Sequence, residues 1–106
     1  MTAMVDLQTF VARHADGARV IDVREPAEYV GGHVPGALST PMSRIWMYTA
    51  QLPREEDVYV ICESGNRSRS MTDVLAAQGI RAISVQGGTA AWRAAGRALV
   101  TGAQAA

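Results

Sequence analysis

Cys62 is the only cysteine in a chain of 106 residues, and it stands directly after Val58-Tyr59-Val60-Ile61, the strongest strand signal in the sequence. Glu63-Ser64-Gly65-Asn66-Arg67-Ser68 follow, and then Met71, Val74 and Leu75 at helical spacing. Gly65 and Asn66 tolerate a positive backbone φ, so the segment can curl with several amide N–H groups aimed at one centre beside a helix N-terminus. If the Cys62 sulfur is that centre, its thiolate is favoured, and the pKa falls from about 8.5 into the range of roughly 3.5 to 7.5. The chemistry these residues suit is nucleophilic attack by a thiolate. The plain alternative makes Cys62 the last core residue of a buried strand, but an inert position calls for no glycine loop, arginine and helix start together.

The elements that must hold this loop are legible along the chain. Asp6 can cap a helix carrying Leu7, Phe10, Val11 and His14, with Gly17 placed to end it. Val20-Ile21-Asp22-Val23 reads as a strand, and Pro26 opens a helix through Glu28 and Tyr29. Gly31 to Gly36 breaks the pattern, Ala37 to Thr40 suits a brief strand, and Pro41 opens a helix with Met42, Ile45, Trp46 and Thr49 as its inner stripe. Gly79 can terminate the helix after the Cys62 loop, and Ile80 to Val85 reads as a strand. Gly87-Gly88 then turns into a last short helix capped by Thr89 and anchored by Trp92. Strands alternating with helices through short connections predict a parallel sheet covered on both faces, with ligands at the carboxyl ends of its strands. The reading is one domain over residues 1–106, with 101–106 a loose tail.

Composition narrows the function. Ten basic residues, all arginine, balance ten acidic ones, so there is no positive excess to attract nucleic acid or an anionic membrane. No apolar run approaches the roughly 20 residues of a membrane span, and Met1 to Phe10 lacks the pattern of a signal peptide, so the cytoplasm is expected. A lone thiol fits a reducing compartment, and His14 and His33 show no metal-ligand spacing. His33, between Gly32 and a Pro-Gly turn, reads as a structural hydrogen-bonding residue.

The segment Cys62 to Ser68 resembles the active-site loop of rhodanese-type sulfurtransferases. Asp22-Val23-Arg24-Glu25, Gly32-His33-Val34-Pro35-Gly36-Ala37, and Gly87-Gly88 with Trp92 resemble the remaining family signatures, in the family's order, over roughly Asp6 to Gly102. The resemblance implies an α/β fold of three layers, α/β/α, around a central, mainly parallel sheet of about five strands. It also implies a two-step reaction in which Cys62 takes sulfur from a small donor such as thiosulfate or a persulfide. A thiol, cyanide or a protein acceptor then collects it. Glu63, Ser64, Gly65, Asn66, Arg67 and Ser68 would cradle the transferred sulfur and the donor, Asp22 and Arg24 would either brace the loop or merely form a surface pair, and neither metal nor organic cofactor is called for.

Two rivals remain open at this level. Phosphatases and arsenate reductases use a similar loop that is one residue longer, whereas only four residues separate Cys62 from Arg67 here. A sulfur-relay or binding module without turnover on small donors is the other. Glu63 keeps donor identity open. A carboxylate about 7 Å from a dianion, at an effective dielectric of about 60, repels it by roughly 1.6 kcal/mol unless the charge is paired with Arg67 or Arg69.

Overall fold

The computed structural model describes residues 1–106. Five strands form one sheet: β1 (Met4–Val5), β2 (Arg19–Asp22), β3 (Leu38–Ser39), β4 (Asp57–Ile61) and β5 (Arg81–Val85). Their order is β1-β5-β4-β2-β3, and every pairing is parallel. The helices are α1 (Leu7–Ala15), α2 (Pro26–Val30), α3 (Trp46–Thr49), α4 (Asn66–Ala77) and α5 (Gly88–Ala94), with a 3₁₀ turn at Met42–Arg44.

β4 runs down the centre and reads as a continuous apolar strand because both of its faces are covered. Val58, Val60 and Cys62 pack on one face with Ile21, Val23, Ile45 and Leu75. Tyr59 and Ile61 pack on the other with Phe10, Val20, Val34 and Trp92. The period-two alternation of a strand therefore turns Cys62 toward the side where α4 lies. Burial of Phe10, Ile61, Leu75 and Trp92, all at most 2% exposed, holds the layers together, each large apolar side chain contributing about 1.5–3 kcal/mol.

Asp6 caps α1 as expected, its carboxylate accepting the Thr9 N–H at 2.8 Å. Four local features differ from the sequence reading. β1 is an additional two-residue edge strand, too short for periodicity to reveal. The expected helix from Pro41 is split into the 3₁₀ turn and α3, which leaves Ile45 buried but Trp46 68% exposed. Thr89 does not cap α5, because Gly87 precedes its first turn and the Thr89 N–H and hydroxyl both donate to the Cys62 carbonyl, at 2.8 and 3.0 Å. The tail expected to be loose is tied down: Gly102 N–H donates to Val30 O and Gly36 N–H to Ala105 O, both at 2.8 Å, and Gln104 O lies 2.8 Å from His33 Nε2. On the tail's side backbone groups alone make these bonds, so the tail's side-chain composition gave no warning of them.

No helix is long and apolar enough to cross a membrane.

Candidate functional site

Cys62 follows the last residue of β4, and its side chain is 1% exposed. The chain then curls through Gly65, whose φ of +107° lies in the glycine-favoured region, and enters α4 at Asn66. Asn66 itself is helical, so of the two residues able to take a positive φ only Gly65 does so. The curl brings the Gly65 N–H to 3.1 Å from the Cys62 Sγ. Burial pushes the thiol up. The backbone N–H and hydroxyl of Ser68, and the N–H groups of Gly65 and Ser64, outweigh that effect and hold it below the ordinary cysteine value.

Ser68 is fully buried, and its hydroxyl lies 2.8 Å from the Ser84 hydroxyl and 3.1 Å from Gly65 O. Ser84, on neighbouring β5, thus fixes the Ser68 side chain beneath the sulfur. Nothing in the loop's own sequence points to it. The backbone of Cys62 and Glu63 is held from the far side by α5, whose first turn donates Thr89 N–H to Cys62 O at 2.8 Å and Ala90 N–H to Glu63 O at 2.9 Å. Gly88 makes this approach possible, because a Cβ there would meet Cys62 O at 2.5 Å and Glu63 O at 2.6 Å, and its φ is +57°.

Asp22 and Arg24 come together under the loop. Arg24 is 2% exposed and Asp22 0%. The guanidinium donates from Nε to both Asp22 oxygens at 3.1 and 3.2 Å, and from Nη2 to Asp22 Oδ2 and Gly32 O, each at 2.8 Å. Its remaining arm, Nη1, reaches Glu63 Oε1 at 3.1 Å. Burial alone would lower the Arg24 pKa, but its bonds to Asp22 raise it above the ordinary value, so the guanidinium is charged throughout. A buried, multiply bonded cation of this kind fixes the geometry of the loop it touches.

Glu63 has neither of the partners considered from sequence. Arg24 holds one oxygen and Arg93 Nη1 holds the other at 2.9 Å, so the expected repulsion of an anionic donor is offset by two guanidinium groups. Arg67 is not free either. Its two terminal nitrogens donate to the two Glu28 oxygens at 2.6 and 2.8 Å. The Arg67 bond holds the Glu28 carboxyl down at about 2, and Glu28 in turn raises the Arg67 pKa. Ser64 and Asn66 are exposed at the top of the loop. Glu28, Ser84 and Arg93 are therefore contributors that sequence reasoning passed over. Arg93 is 30 residues from Glu63 and Glu28 is 39 from Arg67, and only the fold juxtaposes them.

His33 is fully buried, stacks on Tyr29 at 3.7 Å between ring centroids, and has its ring nitrogens 2.9 Å from Tyr29 O and 2.8 Å from Gln104 O. A cavity of about 600 Å³, lined in part by Arg13, Arg19, Glu56 and Asp57, opens near the amino ends of β2 and β4, whereas Cys62 stands at the carboxyl end of β4. The cradle is the curl of the loop around the Cys62 Sγ, with the Gly65 N–H 3.1 Å away. It can hold one anionic sulfur on a ring of N–H donors, and no three His, Cys, Asp or Glu side chains are grouped to hold a metal ion.

Known proteins are similar to this chain in sequence and in fold. The chain is 35% identical over 103 residues to a sulfurtransferase of Allochromatium vinosum, covering 94% of this chain and 96% of that one. It is 32% identical over 84 residues to thiosulfate sulfurtransferase GlpE of Pseudomonas entomophila, covering 78% and 77% of the two chains. The crystal structure of a rhodanese-related protein from Thermoplasma volcanium superposes with a TM-score of 0.87 at 27% identity, over 94% of this chain and 99% of the other. The family profile described as Rhodanese-like domain matches residues 6–95, a span that takes in the Cys62 loop, the Arg24 bracket and the first turn of α5, and the chain belongs to that family.

Proposed function

We propose that this chain is a sulfurtransferase that carries a sulfane sulfur on Cys62. The observation that carries the reading is the buried Sγ receiving the Gly65 N–H at 3.1 Å in a loop whose donors hold the thiol below its ordinary pKa. In the first step the Cys62 thiolate attacks the outer sulfur of a donor. With thiosulfate, the donor S–S bond breaks, sulfite leaves with its electron pair, and the outer sulfur remains on Cys62 as an anionic persulfide. The N–H groups of the loop then face the terminal sulfur, where the negative charge resides. In the second step cyanide or a thiolate attacks that terminal sulfur, departs as thiocyanate or a new persulfide, and returns Cys62 as thiolate. A protein thiol fits the same role as a small acceptor. Metal and organic cofactors have no part in either step, and a reducing compartment such as the cytoplasm keeps the resting thiol available.

The test is turnover of thiosulfate with cyanide by wild type and Cys62→Ser. The substitution removes the polarisable nucleophile with little change in volume. Thiocyanate formation should fall by at least about 10³-fold with the fold intact, and the wild-type rate should rise with pH through a midpoint below that of free cysteine, since thiolate forms as pH rises past the lowered pKa. Appreciable turnover by the serine variant would overturn the mechanism.

A further inference from the structure

Three arginines at the Cys62 loop are each held by a carboxylate. Arg24 is held by Asp22, Arg93 by Glu63, and Arg67 by Glu28. Arg69, on the solvent side of α4, is the nearby arginine with no carboxylate within 4 Å. Arg67 is the guanidinium within the Cys62 loop, and the fork-to-fork pairing with Glu28 at 2.6 and 2.8 Å uses the face it would otherwise offer to an oxyanion. Glu28 is itself built in. It lies in the first turn of α2, where its carboxylate accepts the Glu25 N–H at 3.3 Å, and the Glu25 carboxylate accepts the Ser43 hydroxyl at 2.9 Å.

We infer that Glu28 is a positioning and donor-selecting residue: by clamping Arg67 it withholds the loop guanidinium from dianionic donors and favours alkyl persulfides. The inference rests on the sulfur-carrier reading of Cys62. A dianion such as thiosulfate gains little from Arg67, because it must displace one carboxylate to gain another anionic contact, with the Glu28 charge left beside it. An alkyl persulfide needs no such contact. The Cys62 thiolate attacks its outer sulfur, the S–S bond breaks, the alkyl thiolate leaves with the electron pair, and the outer sulfur stays on Cys62 with its proton, which passes to water. Glu28 acts only through Arg67 and touches neither donor nor sulfur.

Glu28→Gln tests this, because glutamine keeps the side-chain length and the carbonyl oxygen that accepts at the start of α2 while removing the charge. With thiosulfate as donor, kcat/KM should rise about three- to tenfold at low ionic strength, chiefly through KM, and most of the gain should vanish in high salt. With the persulfide of 2-mercaptoethanol, which carries no carboxylate, as donor the change should stay within about twofold. In an Arg67→Gln background the thiosulfate gain should be clearly smaller than with Arg67 present, and the persulfide rate again unchanged. Equal responses of the two donors, a gain just as large without Arg67, or a folded Glu28→Gln protein with no gain would each overturn the inference. A wild-type chain that gains sulfur on Cys62 while Glu28→Gln fails these tests overturns the Glu28 role alone. A wild-type chain that gains no sulfur from either donor overturns the carrier reading and this inference together.

Discussion

Arg24 and Arg67 both reach the Cys62 loop and both are held by carboxylates, yet Arg24 lies 2% exposed beneath the loop and Arg67 lies 33% exposed at its rim. Arg24 makes bonds to Asp22, Gly32 O and Glu63, whereas the side chain of Arg67 is bonded to Glu28 alone. Burial is what separates them. Charges removed from water must keep every partner or the structure opens, so the Arg24 bracket is scaffold. A pair still wetted by solvent contributes little to stability and can be exchanged for a ligand, so the Arg67 pair is free to serve selection.

The largest expected effect comes from breaking the buried side. Arg24→Met leaves Asp22, which is 0% exposed, without its cation and leaves Glu63 with Arg93 only. Urea denaturation at neutral pH should show a loss of about 3–5 kcal/mol, with sulfur loading lost alongside. A loss under about 1 kcal/mol would erase the distinction between bracket and rim.

The rim should respond far less. Glu28→Gln should lower stability at neutral pH by at most about 1 kcal/mol, since both partners are about one-third exposed. Its pH dependence has a definite sign. The folded carboxyl titrates at about 2, below its ordinary value of 4.5, so the pair's contribution is complete above that ordinary value and is lost as pH falls toward about 2. Wild-type and Glu28→Gln denaturation midpoints should converge over this acid window, and a gap that widens in acid would contradict the pairing.

The same contrast explains how much could be read before the fold was known. β2, β4, β5 and the main helices announce themselves because burial and backbone geometry act locally, through β-branched runs, a capping aspartate and glycines at turns. The cradle was legible for the same reason: cysteine, glycine, arginine and helix start are consecutive. Asp22 and Arg24 were legible as a brace only through the family resemblance. Glu28, Ser84 and Arg93 were not, because their partners lie 39, 16 and 30 residues away and any sequence offers many such pairs. Glu63 shows the consequence. Its charge was visible, but whether it repels a donor depended on two arginines whose direction only packing decides. Trp46 was misplaced for a related reason, since the 3₁₀ turn before α3 rotates the stripe that uniform helical spacing would have buried.

In the proposed reaction sulfur passes through Cys62, and intact mass measures this without assuming a donor. Wild-type protein exposed separately to thiosulfate and to glutathione persulfide, then desalted, should gain the mass of one sulfur atom with at least one donor and lose it on addition of cyanide. Cys62→Ser should gain none. A sulfur adduct of equal occupancy on the serine variant, or a wild-type chain whose mass never changes, would contradict the account.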